Sequence, residues 1–441
     1  MRDIALALLI FGTLPYILAR PYVGLLVWSW IGYMNPHRLC YGFAISFPWV
    51  QLVAIVTLLS FLFSKERKSV PWSSTSFLLA AFLLWTGLTT VFAVVPDSAW
   101  AAWLEFAKIL AMVFITLALV NTRERMHWLV WTIAVSLGYY GFRGGIFTII
   151  GGGANHVVGP PGSFITDNNA LALALCMTLP LMRYLQLHST RKFVRLGLVA
   201  GMLLTGVAVL GTYSRGGLIA LAVVCMVLFM KSRGRLAVMI IFIALASTAY
   251  HFMPPEWSQR MGTLKDAQQT SSGETRIESY KFAANLALHQ PVFGGGLNVY
   301  QSKSTWERYA PEGSDSRAIH SIYFRVLGEQ GFPGLILFLS LLWVSWRNCS
   351  RVRKRTRAVP EMRWAFDLAS MLQVSLVAFM TAGALLPMTY FDLAYQLMAL
   401  CAILELHVRE QAPQPSGRHR RFGKVSEART SSARSFMAAG R

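Results

Sequence analysis

Long apolar runs recur along this chain, separated by short polar joints. A helix crossing the roughly 30 Å hydrocarbon core of a bilayer needs about 20 mostly apolar residues. Runs of that kind fall at 48–63, 76–95, 103–120, 128–150, 168–186, 196–213, 217–230, 236–253, 322–346, 366–385 and 390–407. The first 35 residues hold two shorter apolar pieces split at Arg20-Pro21. Proline interrupts the helical ladder, so this stretch reads as two tight spans or one broken span. Lipid offers the backbone no hydrogen-bond partners, so every span must be helical. The pattern predicts an all-α, polytopic membrane domain over residues 1–408. It has about 12 transmembrane helices, or 13 if the first stretch crosses twice, and one large extracytoplasmic loop containing helices.

Composition agrees with that reading. Of the 441 residues, 55% are hydrophobic and 14% charged, where a soluble domain carries about 25% charged residues. A cytosolic enzyme, a disordered chain and a secreted disulfide scaffold are all excluded. The net charge of +21, from 41 Lys and Arg against 20 Asp and Glu, would suggest nucleic acid in a soluble protein. The positions of the charges redirect it. Basic residues fill every second loop: Lys65 to Lys68, Arg123 and Arg125, Arg191 to Arg195, Lys231 to Arg235, and Arg347 to Arg363. Cytoplasmic loops carry such an excess, so the charge is an orientation signal and no nucleic-acid partner is needed. Residues 409–441 are rich in Arg, Ser, Ala and Gly without apolar periodicity, as expected of a basic, disordered cytoplasmic tail. Cys40, Cys176, Cys225, Cys349 and Cys401 are scattered without a CxxC pair and read as packing residues. The first apolar run has no small-residue cleavage site, so no removable signal is expected.

One outside loop differs from the rest. From about residue 254 to 319 it carries seven basic and seven acidic residues, and its stretch from Glu274 to His289 has helical composition. Gly273 before that stretch, and Pro291 and Gly294-Gly295-Gly296 after it, are plausible breakers. Long ordered loops are usually functional, and a crown over the membrane face is expected. Arg215, in Tyr213-Ser214-Arg215-Gly216-Gly217, stands in a loop that the charge rule places outside. Snorkelling to the interface competes there with an anion site, because a guanidinium fork grips phosphate bidentately. For Arg276, a salt bridge to Glu274 or Glu278 competes with the same anion role. His320, where the loop re-enters the membrane, is either a packed residue or a general base suited to neutral pH. The chain has no GxxxxGK phosphate loop, HExxH zinc motif, GxSxG elbow or Asp-x-Asp pair. Ionisable residues inside the spans are few, which argues against an ion-coupled pump. Reaction chemistry at the outer surface, without nucleotide, metal or other cofactor, is the leading class.

Several stretches together resemble the O-antigen ligase and O-antigen polymerase superfamily. They are Ser214-Arg215-Gly216-Gly217, Glu274-Thr275-Arg276 through Gly294-Gly295-Gly296, His320-Ser321, and Glu329-Gln330-Gly331-Phe332-Pro333-Gly334. Asp167-Asn168-Asn169 is similar to that family's Asp-Pro-Asn helix start, with Asn168 where Pro is common, and Ser321 stands where Asn often follows the His. Asn35-Pro36-His37-Arg38 looks more like the O-glycosylation-ligase branch. The motifs cover roughly residues 140–345.

The resemblance implies about 12 spans with both termini cytoplasmic, which fits if residues 1–35 cross once. It also implies an enzyme of the bacterial inner membrane whose active site faces the periplasm. Such an enzyme moves a glycan from an undecaprenyl diphosphate carrier to a sugar hydroxyl of lipid A–core, inverting the anomeric centre without ATP. In that reading Arg215 and Arg276 clamp the diphosphate and His320 takes the acceptor's proton. Arg143, near the outer end of its span, is a candidate addition to the anion site. Tyr280, one turn after Arg276, either orients a carrier phosphate or packs. An O-antigen polymerase and a protein O-glycosylation ligase share this donor chemistry, and the motifs do not separate the three. A flippase of lipid-linked sugars is the alternative of a different class. It would want polar residues deep in the bundle and access from both sides, whereas the polar groups here gather at one face.

Overall fold

The computed structural model describes residues 1–65, 70–231, 252–262 and 271–411, with isolated positions 239, 240, 243, 247 and 248. Most of the expected span at 236–253, nearly all of the basic tail and part of the Lys65–Lys68 loop lie outside the described residues.

Every regular element among the described residues is a helix. The first part of the chain forms α1 (Arg2–Ala19), α2 (Pro21–Met34), α3 (Trp49–Phe63), α4 (Ser74–Val91), α5 (Pro96–Leu119), α6 (Arg123–Ile150), α7 (Asn168–His188), α8 (Lys192–Gly211) and α9 (Arg215–Lys231). The polar loop carries α10 (Pro255–Gly262), α11 (Ser271–His289) and α12 (Lys303–Tyr309). The chain then continues through α13 (Ile322–Thr356), α14 (Arg363–Gly383) and α15 (Asp392–Gln411). Among the described residues, eight helices are long and apolar enough to cross a membrane. The shorter or more polar α2, α3, α9 and α15 run beside them. The protein is thus an all-α, multi-pass membrane protein.

Its surface and interior follow the physics of that solvent. Leu8, Phe63, Leu84, Trp128, Leu196 and Trp343 are exposed, a pattern that water would penalise and lipid accepts. Threonine hydroxyls inside spans bond back to their own helix, as Thr116 does to Met112 O at 2.9 Å and Thr178 to Ala174 O at 2.7 Å. No lipid partner is then required. The α6–α8 contact is made by small residues: a Cβ on Gly145 would lie 2.2 Å from Leu204 O. Only glycine permits that approach, and close backbone packing of this sort holds membrane helices together. α7 is buried along most of its length between α8, α9 and α14.

The first 35 residues form a hairpin. Asp3, at the start of α1, accepts from Gly42 N–H at 2.9 Å, while Ser60 Oγ, near the end of α3, donates to Leu18 O at 3.1 Å. α1 and α3 are therefore parallel, with α2 running back between their ends. Tyr22 OH donates to Arg125 O at 2.7 Å and Tyr140 OH to Met34 O, so α2 runs parallel to α6. Residue 1 consequently lies at the end of the bundle where α7, α9 and α13 begin, and residue 411 lies at the other. The parity implied by the resemblance, both termini on the basic side, does not hold. The Arg20-Pro21 break is a complete turn, because Pro21 takes the first position of a new helix, where its missing N–H costs nothing.

Candidate active site

The sequence folds locally so that helix starts collect at one end of the bundle. Asp167 caps α7, its carboxylate accepting from Asn169 N–H at 2.8 Å and Ala170 N–H at 3.1 Å. Asn168 Nδ2 donates to Thr212 O at 2.7 Å, and Ser214 Oγ donates to Asn169 Oδ1 at 2.8 Å. The same Ser214 oxygen accepts from Gly217 N–H at 3.0 Å, capping α9 directly before Arg215. Gly217 lets α9 close on α7, since a Cβ there would meet Ala172 Cβ at 2.5 Å. Arg215 therefore opens α9 at a rigid joint, and neighbouring Gly216 packs against Leu385, just beyond α14.

The polar loop delivers the other two candidates to that place. α11 spans Ser271–His289, so Gly273 sits within its first turn instead of ahead of it. Tyr280 OH donates to His320 O at 2.8 Å and to Ala384 O at 3.2 Å, tying α11 to the start of α13 and the end of α14. Its ring stacks on Phe324 with centroids 4.7 Å apart. Tyr280 is thus packed between these elements, with its hydroxyl on the His320 backbone.

Arg276 and His320 feel each other's charge. Burial pushes the His320 imidazole below its ordinary value, Arg276 lowers it further, and Asp167 opposes that shift. The geometric link between α11 and the start of α13 is the Tyr280 tether. Glu278, a candidate partner for Arg276, instead faces Arg317 at 3.7 Å. Among the described residues Arg276 forms no ion pair, which leaves its fork available to an anion. Arg215 joins this group through its backbone position, beside the Ala382–Leu385 segment that Tyr280 also grips. Arg143 is placed elsewhere: it lines a separate cavity whose walls include none of Arg215, Arg276 and His320.

Reasoning from sequence missed a buried polar network just behind the site. Arg325 Nε meets Glu329 Oε1 at 3.0 Å, Arg325 Nη1 donates to Pro387 O at 2.8 Å, and Tyr390 OH donates to Glu329 Oε2 at 2.7 Å. Glu329 Oε1 also accepts from Asn298 N–H at 3.0 Å. Gly295 and Gly296 N–H groups bond Gly328 O and Glu329 O, each at 2.9 Å. The glycine run and the Glu329-Gln330-Gly331 stretch are therefore two halves of one joint. It anchors the polar loop to α13. The available signal was the i,i+4 Arg325–Glu329 spacing inside an apolar run, since intramembrane charges are costly and usually paired for a reason.

Residues 200–339 match a family described as O-antigen ligase. Residues 1–190 match a family of unknown function, DUF5935. No curated protein matches the chain. Arg215, Arg276, Tyr280 and His320 all fall within the first of these matches, which makes a ligase or glycosyltransferase type of activity the coarse assignment.

Proposed function

We propose that this chain, which carries an O-antigen ligase domain over residues 200–339, transfers a glycan from an undecaprenyl diphosphate carrier to a lipid A–core sugar hydroxyl at the periplasmic face of the bacterial inner membrane. What supports the reading is the tether from Tyr280 OH, one turn after Arg276, to His320 O at 2.8 Å, with Arg276 and Asp167 acting in opposite senses on the His320 imidazole. Burial and Arg276 favour the neutral form of the His320 imidazole, whose ring nitrogen accepts the acceptor hydroxyl's proton as that oxygen attacks the anomeric carbon. The bond to the diphosphate breaks as the new glycosidic bond forms, and the leaving oxygen keeps the electron pair. One displacement inverts the centre.

Charge developing on the diphosphate is met by Arg276, with Arg215 at the start of α9 completing the clamp. Preorganised cations of this kind act on the transition state most strongly in a site shielded from water. The bond energy of the donor drives transfer, so neither nucleotide nor metal enters any step.

Polymerase and protein-ligase variants differ only in the acceptor. Reconstitution with a defined undecaprenyl-diphosphate glycan, offering lipid A–core, free glycan and protein in competition, separates them. His320→Ala should lose about 10²–10⁴-fold in transfer rate while still inserting and binding donor. Normal glycan attachment by that variant would remove His320 from the chemistry.

A further inference from the structure

A second cavity at the same end of the bundle is built wholly from the first 190 residues, the part that matches a family of unknown function. It encloses about 310 Å³, and Leu39, Tyr140, Arg143, Phe147, His156 and Pro160 are among its walls. Its charge is one-sided. No Asp or Glu lines it, and Arg143 is exposed without an ion pair or hydrogen bond among the described residues. The Arg38 guanidinium lies 3.1 Å from where a Cβ on Gly162 would stand, immediately beyond the Pro160-Pro161 wall. His37 is only 8% exposed, and its Nδ1 and the buried Arg38 Nε both lack a hydrogen-bond partner. Burial, and secondarily the Arg38 charge beside it, pushes the His37 imidazole down to about 4, so it stands neutral next to Arg38.

One wall is apolar and faces outward: Phe147 lines the cavity and is exposed on a membrane-crossing helix. Cationic groups at the head end and a lipid-facing wall together fit the anionic headgroup of an amphiphile. The cavity also adjoins the first site. The His156 ring lies 4.3 Å from that of Tyr213, whose hydroxyl donates to Gly153 O at 2.6 Å. Ser214 and Arg215 follow Tyr213 directly. A transferase must hold two substrates with their reacting atoms about 3 Å apart. The carrier's diphosphate accounts for one cationic cluster and leaves the other without a ligand.

We propose that this cavity binds a phosphate ester on the glycolipid acceptor, gripped by Arg143 with Arg38 behind it, while the carrier diphosphate sits across Tyr213. The inference rests on the two-substrate reading above. It assigns to the segment of unknown function the recognition of acceptor charge.

Acceptor kinetics in proteoliposomes test it, with lipid A–core and its enzymatically dephosphorylated form offered to wild type and Arg143→Gln. Arg143 is exposed and unbonded, so its replacement leaves the packing intact. The KM for phosphorylated acceptor should rise about tenfold, the worth of one charge-assisted hydrogen bond, with the donor KM unchanged. The dephosphorylated acceptor should not distinguish the two proteins, and Arg143→Lys should recover part of the loss. A shift in donor KM, an equal shift with dephosphorylated acceptor, or a KM that follows the anionic phospholipid content of the vesicle overturns the proposal. Should the wild type transfer to no acceptor, the proposed function fails first. Retention of lipid A–core in native mass spectrometry then decides the cavity: Arg143-dependent, phosphate-dependent retention supports it, and equal retention of both forms overturns it.

Discussion

At the scale of single residues, the environment of His320 makes a signed prediction. A general base works in its neutral form, so the acid limb of the rate profile should have its midpoint below the ordinary histidine value of about 6.5, because burial and Arg276 lower it. Removing that cation in Arg276→Gln should move the midpoint up. Asp167 acts in the opposite sense, so Asp167→Asn should move it down, and the amide oxygen can keep the α7 cap. Profiles of kcat/KM for both variants check this, and two shifts of the same sign would mean that His320 is not the titrating base. Arg276→Lys should lose far more activity than its retained charge suggests, since an ammonium cannot reproduce the planar fork. His320 stood out in the sequence as a polar residue at the rim of an apolar run, and Arg276 through the Glu274-Thr275-Arg276 stretch of the polar loop. Asp167 was legible only as a helix start, since its second duty depends on a residue 153 positions away that no local spacing encodes. Arg143 was drawn toward the wrong neighbours for the same reason: lying at the correct end of a span fixes depth but not which helices surround it.

At the scale of elements, the joint between the Gly294–Gly296 turn and α13 decides whether the polar loop is held or loose. Gly331 takes φ 66° within α13, and a Cβ there would come 2.3 Å from Val292 O. The break lets Phe332 N–H reach Pro291 O at 2.9 Å. Beside it, Glu329 is fully buried against Arg325. Removing one member of such a pair leaves an uncompensated charge and costs about 3–5 kcal/mol. Glu329→Ala should therefore lower thermal stability in detergent by that order, and Glu329→Gln, which keeps the volume and one acceptor, by less. A Glu329→Ala protein as stable as wild type would mean that the network does not brace the loop. The glycine run was recognisable as a breaker from sequence, and so was the helix before it in outline. Its pairing with Gly328 and Glu329 was not, because backbone-to-backbone contacts between distant segments leave no compositional trace.

For the whole molecule, the hairpin of α1 and α2 has the largest consequence. Twelve described helices run from end to end of the bundle, and their alternation puts residue 1 with His320 and residue 411 opposite. Lys231 closes α9 at the far end, while Met253 Sδ lies 2.9 Å from where a Cβ on Gly153 would stand, at the near end. Apolar pattern alone left the first 35 residues divided between one crossing and two, since each piece is short: the 14 residues of α2 extend only about 21 Å at 1.5 Å per residue. Its contacts with α3 and α6 supply what length does not. The hairpin also returns Arg20 to the end that holds Arg125, where the positive-inside rule would have it. If that basic end faces the cytoplasm, an epitope fused ahead of Met1 should be reached by antibody in intact spheroplasts, whereas one placed after Gln411 should need permeabilised cells. Both epitopes exposed on the same side would mean that the first two helices do not cross as a pair, and the alternation of every later helix relative to His320 would have to be redrawn.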